Sequence, residues 1–361
     1  MQPADPRQIK GRGAIANPAN PFEQYHLEDD PEWLEEVARD PDAVPPSPRT
    51  VLFTDDTQTL ITKNTSPDLS FEYSLNPYRG CEHGCSYCYA RRYHEFLGWS
   101  SGLDFESKLL IKPRAPALLR SELSSNRWKP ARLACSGVTD CYQPVERRLR
   151  ITRGCLEVLA EFRHPVALIT KNHLITRDTD LLAELAKWNA GAALLSITTL
   201  DSALAAALEP RASSPRMRLT ALRALSEAGV PAGVSVAPII PGLTDHEMPA
   251  ILEAARDAGA SFATYTIVRL PGSVSDVFQQ WLARHASPEL ADKILRRIQE
   301  MRGGRLNDMR PRTRMRGEGE LADQINRLFK ITARKLGLNK MRPDITADNF
   351  RRIQKGQMEL F

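Results

Sequence analysis

Arg79-Gly80-Cys81-Glu82-His83-Gly84-Cys85-Ser86-Tyr87-Cys88-Tyr89 places three thiols within eight residues and an aromatic ring beside the last of them. Cysteines spaced by four and then three positions can wrap one face of a metal centre, and soft thiolates select zinc, copper(I) or iron–sulfur. A structural zinc takes a fourth Cys or His, commonly from a second close pair. Cys135, Cys141 and Cys155 come much later and form no such pair. His83 lies inside the loop, but two residues from Cys81 it fits a tetrahedron poorly. Three thiolates on a four-iron cluster leave one iron without a protein ligand, and that open position is where a substrate can bind.

This Cys-x3-Cys-x2-Cys pattern, with Tyr87 just before the third cysteine, resembles the radical S-adenosylmethionine (SAM) superfamily. The resemblance implies a [4Fe–4S] cluster on Cys81, Cys85 and Cys88, with SAM chelated at the open iron through its amino and carboxylate groups. It implies cleavage of SAM to a 5′-deoxyadenosyl radical on one-electron reduction, with an electron donor such as flavodoxin or ferredoxin. Three cysteines that only pack together or bind zinc are the competing reading.

The rest of the chain reads as a scaffold for this loop. Short apolar runs at 71–75, 132–136, 166–170, 192–198, 232–237 and 262–267 read as strands. Helical patterns follow at 145–162, 178–189, 214–229, 245–258 and 274–285, with Ser214-Pro215 as N-cap and first-turn proline and Gly229 as a stop. Counted from Phe71 these make six strand–helix units, which imply an α/β fold with a parallel sheet covered by helices. Right-handed crossovers curl six such units into an open partial (β/α)6 barrel, as the resemblance also implies. A flat doubly wound sheet is the alternative, but no Gly-x-Gly-x-x-Gly follows the first strand.

Either architecture collects ligands at the carboxyl ends of its strands. Thr139-Asp140-Cys141-Tyr142-Gln143-Pro144-Val145-Glu146 follows the second strand and Thr170-Lys171-Asn172 the third; Ser196 and Thr198 end the fourth, and Ala237-Pro238 closes the fifth. The stretch after the second strand resembles the spore photoproduct lyase-like branch of the superfamily. That likeness implies Tyr87 lining the pocket beside the cluster, Thr139 and Asp140 approaching the methionyl end of SAM, Lys171 pairing with its carboxylate, Ser196 binding the ribose and the Ala237 backbone meeting the adenine. Taken alone, Lys171 is a strand-end lysine, Asp140 a turn or cap residue and Glu146 a first-turn helix acid. In the lyase the hydrogen-donor cysteine precedes the aspartate by three residues, a place that Gly137 holds here, so its reaction does not transfer. Cys141 and Tyr142 are the candidates for a hydrogen-donor or radical-relay role, against the plain alternative that a buried cysteine is a small apolar residue.

At 361 residues the chain can hold one large domain with extensions, and 42% hydrophobic with 26% charged residues is ordinary for a globular protein. No run approaches a bilayer-spanning length and no charged-then-apolar leader is evident, so a cytoplasmic protein without a membrane partner is expected. Six cysteines, half of them clustered, point to metal and a reducing compartment rather than disulfides. Nine of the 26 prolines fall in residues 1–50, which read as an extended segment with a short helix at 31–39 about Trp33 and Leu34. Residues 51–287 form the barrel, opening with short strands at 51–53 and 60–62. Residues 288–352 form a basic helical module with helices at 288–301 and 321–336, and 353–361 a tail.

From Lys293 to Phe361 there are 18 Lys plus Arg against 8 Asp plus Glu. Arginines between 302 and 316 read as a flexible basic loop able to touch backbone phosphates. At the terminus, Gln357-Met358-Glu359-Leu360-Phe361 resembles the peptide with which bacterial polymerases and repair proteins dock on the DNA sliding clamp. There Leu360 and Phe361 would fill an apolar pocket while Gln357 bonds at its rim. Together these features suggest radical SAM chemistry on nucleic acid, in DNA repair or base modification. Radical modification of a protein, RNA or metabolite, and a non-catalytic metal module tethered to the clamp, are the alternatives.

Overall fold

The computed structural model describes residues 11–22, 49–69, 71–340 and 343–353. Its strands are β1 (Val51–Thr54), β2 (Ile61–Lys63), β3 (Tyr73–Leu75), β4 (Tyr78–Arg79), β5 (Lys108–Ile111), β6 (Leu133–Cys135), β7 (Val166–Thr170), β8 (Gly191–Ser196), β9 (Ala232–Ile239) and β10 (Phe262–Ile267). Seven of them form one sheet in the order β10-β9-β8-β7-β6-β3-β2. The six expected strands, β3 and β6 to β10, run parallel, and β2 adds an antiparallel edge beside β3. The sheet does not close, since β2 and β10 are its edges.

Parallel strands covered on both faces read as near-continuous apolar runs, and Val234, Val236, Leu168, Leu195 and Ala193 are fully buried here. The helices Ile151–Glu161, Thr179–Lys187, Pro215–Glu227 and Met248–Asp257 cover the sheet. One expected helix is broken. The pattern at 145–162 forms as Glu146–Leu149 and Ile151–Glu161, separated by Arg150 at φ 55°. Glu146 accounts for the break. Its buried carboxylate accepts the Thr152 and Arg153 amides at 3.0 and 3.3 Å and the Arg177 guanidinium at 2.7 Å. It therefore caps the second helix in place of an N-cap side chain, which requires the chain to turn back first.

A second, small sheet in the order β1-β5-β4 went unrecognised in the sequence. It roots the thiol loop, because β4 ends at Arg79 and pairs antiparallel with β5. The helix Ala115–Ser124 follows β5 and lies against Ile151–Glu161.

The carboxyl-terminal helices Pro288–Glu300 and Glu320–Lys335 fall within a residue of expectation. Glu320–Lys335 packs on Met248–Asp257, and the short helix Thr313–Arg316 on β10. The loop between them differs from its reading as a free basic loop. Arg302 is buried and donates to the carbonyls of Ile267, Val268, Thr313 and Arg314 at 3.2, 2.7, 3.0 and 2.7 Å. Arg310 pairs with Asp308 and Glu318, and Arg314 with Asp68. Buried carbonyls need donors, and Arg302 meets that need, while Arg310 and Arg314 are held by carboxylates of the chain. The helix expected at 31–39 and the clamp-like peptide lie outside the described residues. Among the described residues no helix is long and apolar enough to cross a membrane.

Candidate active site

The thiol loop leaves β4 at Gly80, whose φ is 79° and where a Cβ would meet the Leu109 side chain at 2.9 Å and the Phe105 carbonyl at 3.0 Å. Only glycine turns there so close to β5. The Cys81 amide then donates to Phe105 O at 2.9 Å, the Ser86 amide to Leu208 O at 3.0 Å and the Cys88 amide to Cys85 O at 3.2 Å. Arg91, fully buried, reaches back with Nε to Cys85 O at 2.9 Å. Its Nη1 serves the carbonyls of Ser101 and Gly102, and its Nη2 meets Glu106 at 2.5 Å. Glu106 also accepts the amides of Gly13 and Ala14 at 3.0 and 2.8 Å. A buried ion pair is tolerable when its remaining capacity is filled in this way. Gly13 lies so close to the loop that a Cβ would stand 1.6 Å from Gly84 O.

From the other side, the stretch after β6 clamps the same loop. Gln143 accepts the Glu82 amide at 2.8 Å and donates to Gly80 O at 3.2 Å, while Thr139 Oγ1 donates to Gly80 O at 2.7 Å. Asp140 accepts Thr170 Oγ1 at 2.7 Å, the Tyr142 amide at 2.9 Å and the Lys171 amide at 2.8 Å, and lies 3.4 Å from His83 Nδ1. Burial pulls the pKa of His83 down, but Asp140 and then Cys81 outweigh it and hold the imidazole up at about 10. With Asn172 at 3.1 Å on its other nitrogen, His83 ties loops together. Thr139 and Asp140, expected at the methionyl end of SAM, use their side chains to brace the thiol loop and the loop after β7. Three loops meeting at strand ends bury amides and carbonyls that need partners.

Beyond the loop, groups from four segments converge. Lys171, just past β7, donates from Nζ to Ala237 O at 2.9 Å and stands 5.9 Å from the Tyr87 ring. Thr198 Oγ1 also reaches Ala237 O at 3.1 Å, and it lies 3.2 Å from the Tyr87 hydroxyl. At the back is Glu209, which the sequence did not reveal. Its carboxylate accepts Thr198 Oγ1 at 2.7 Å, lies 3.6 Å from Lys171 Nζ, and takes hydrogen bonds from the Tyr87 hydroxyl and the Arg218 guanidinium. Burial raises the pKa of Glu209, yet Arg218 and Lys171 bring it down to about 2, so the carboxylate stays charged. Ser196 is buried at the end of β8, where its carbonyl accepts Arg218 Nη1 at 2.9 Å. Tyr87, Lys171 and Ala237 are thus brought together, with Ser196 linked to them through Arg218.

All six cysteines are free. Cys85 and Tyr87 pack with Leu208, Ile240 and Val268, and Cys88 lies against that group. Burial, followed by the charge of Glu209, pushes the Cys85 thiol up, while Lys171 lowers it. Cys141 and Tyr142, the relay candidates, are fully buried in the main core with Cys135 and Cys155. They are not brought to the convergence, since the segment after β6 carries them into the main core, where Thr152 Oγ1 donates to the Cys141 carbonyl at 2.6 Å. Among the described residues no three His, Cys, Asp or Glu side chains gather closely enough for a single metal ion. Three unpaired thiols in one braced loop, beside a lysine, fit a multinuclear group that spans them, because soft thiolates are the donors such a group takes.

The model of the radical SAM superfamily matches residues 75–255, which run from the end of β3 through the helix after β9. The chain belongs to the radical SAM superfamily. Enzymes of this superfamily use a [4Fe–4S] cluster and SAM. The radical SAM chain is 36% identical over 227 residues to an uncharacterized protein of Mycobacterium tuberculosis, covering 62% of this chain and 66% of the relative. It is 30% identical over 179 residues to one of Methanocaldococcus jannaschii, covering 49% of this chain and 63% of the relative. It therefore spans about two thirds of the length of the curated relatives it matches. Among solved structures, a spore photoproduct lyase variant aligns over 80% of both chains with a TM-score of 0.58 at 16% identity. The same lyase complexed with dinucleoside spore photoproduct aligns over 80% of both with a TM-score of 0.56 at 17% identity. The open partial barrel is thus a radical SAM fold.

Proposed function

We propose that this chain is a radical SAM enzyme that acts on nucleic acid, repairing or modifying a base, with its [4Fe–4S] cluster held by Cys81, Cys85 and Cys88. The observation that carries the proposal is the position of three free thiols in a loop braced from both sides, next to Lys171, Ala237 and Tyr87 at the carboxyl ends of parallel strands. When bound, the cluster and SAM supply reductive cleavage to a 5′-deoxyadenosyl radical.

The chain's own residues bind and orient. Lys171 is placed to take a carboxylate, and Glu209, neutralised by Arg218, fixes where its ammonium points. Tyr87 walls the space, while the Ala237 backbone meets the adenine and the Ser196 hydroxyl offers a partner to the ribose. Thr139, Asp140, Gln143 and Arg91 keep the thiols in place. An electron donor such as flavodoxin or ferredoxin completes the cycle, and a reducing cytoplasm suits it.

The nucleic-acid half is supported by the fold likeness to a lyase solved with a dinucleoside photoproduct and by the basic carboxyl-terminal module. Gln357, Leu360 and Phe361 are proposed to dock on the DNA sliding clamp, which a pull-down with and without residues 357–361 checks. To test the substrate, the reconstituted, reduced protein is given SAM with deuterated DNA, RNA, peptide or metabolite pools. Label passing from nucleic acid into 5′-deoxyadenosine is expected. Label passing only from peptide or metabolites would overturn the proposal.

A further inference from the structure

The carboxyl-terminal module holds its cations in two ways. Arg302, Arg310 and Arg314 are bound to carbonyls or carboxylates of the chain itself. A second set is not. On the outer flank of β10 lies an open groove of about 560 Å³, lined around Tyr265 and Phe329 by Arg316, Lys330, Arg334 and Lys340. Its lining holds four cations and no carboxylate. Arg316, Lys330, Arg334 and Lys340 are all exposed, and among the described residues none has an acidic partner. Asp323 and Glu320, on the same helix, do not line the groove.

The groove has a rigid base. Tyr265 and Phe329 pack with ring centroids 4.7 Å apart, and the Arg316 guanidinium stacks 3.8 Å above Tyr265. Asn339 fastens the far wall to the sheet, since its side chain donates to Ala263 O at 3.1 Å and accepts the Ala263 amide at 3.0 Å. Cations standing around one groove, at Lys330 and Arg334 on one helix, at Arg316 ending the short helix Thr313–Arg316 and at Lys340 past the end of the first, repel one another when nothing lies between them. A strand of phosphates relieves that repulsion and releases its own counterions. The volume exceeds what one inorganic phosphate fills, and a concave seat with charge on both sides suits a phosphodiester chain better than a flat lipid surface.

We infer that this groove is a sequence-independent seat for the phosphate backbone of a nucleic acid, separate from the thiol loop. The inference deepens the proposed action on nucleic acid, but it is read without SAM, so its failure and that of the chemistry are distinguishable. Anisotropy of a short labelled DNA duplex, or of the single strand, is followed against salt with the full-length protein. With up to four phosphate contacts, affinity should fall roughly 100-fold between 50 and 200 mM salt. Lys330→Gln/Arg334→Gln should weaken binding roughly 10-fold or more and cut the logarithmic salt slope by about 2. Should that double variant misfold, Lys340→Gln alone should cut the slope by about 1. Lys335→Gln, the same charge change on the same helix outside the groove, should bind as the parent does. Equal loss in Lys335→Gln overturns the inference, as does the absence of nucleic-acid binding. So does binding of inorganic phosphate, or of phosphatidylserine vesicles, in place of nucleic acid.

Discussion

Cys81, Cys85 and Cys88 on one side, and Cys135, Cys141 and Cys155 on the other, are two sets of three free thiols in one chain. The second set is buried in the main core among leucines, where sulfur serves as a small apolar atom. The first set sits in a loop whose backbone is tied by Gln143, Thr139 and Arg91 and whose neighbours are Lys171 and Glu209. The residue type is the same, and the second set is the more deeply buried, with Cys88 of the first only half-buried. Placement is what differs: the first set lies in a loop beside Lys171, the second in the apolar layer of the main core, and that separates a ligand set from packing.

The comparison can be broken by changing what surrounds each set. Glu209→Gln leaves Arg218 charged and buried without its carboxylate, and should cost about 3 to 5 kcal/mol in urea unfolding. A loss below about 1 kcal/mol would mean that the pair does not organise the site. Lys171→Ala removes one charged hydrogen-bond donor, so SAM affinity by equilibrium dialysis should fall roughly 10- to 100-fold with the fold intact. Unchanged affinity would remove Lys171 from the site.

On the core side, Cys141→Ala should cost about 1 kcal/mol of stability and leave iron content as it was. Loss of iron in that variant would merge the two sets. The last test uses acid. Burial holds His164 down at about 4, with Trp128 Nε1 donating to it at 3.1 Å. Its folded pKa lies below the ordinary 6.5, so its contribution to stability is complete above pH 6.5 and is lost as pH falls toward 4. His164→Gln should flatten that limb of the stability curve, and an unchanged limb would assign it elsewhere.

The thiol loop and the six parallel strands were legible because their signals are local: spacing within eight residues, and apolar runs with turn residues at their ends. Lys171 and Ala237 were legible as strand-end residues of a fold that gathers ligands there. What was not legible depends on distant partners. Tyr87 meets Glu209 across 122 positions, and Gly13 meets Glu106 across 93. Glu209 follows a helix instead of ending a strand, so strand-end logic passes over it. Its one signal is a lone acid closing the Ala205-Ala206-Ala207-Leu208 run before Pro210. The bracing hydrogen bonds of Thr139 and Asp140 were not legible either, because a sequence does not show which polar side chains buried amides and carbonyls will claim.

The most direct measurement is 5′-deoxyadenosine formed from SAM by anaerobically reconstituted, dithionite-reduced protein, with Cys85→Ala and Cys141→Ala assayed side by side. The account predicts iron, sulfide and product at background in Cys85→Ala, and all three at the parent level in Cys141→Ala. Product retained after Cys85→Ala, or lost to the same degree in both, would contradict it.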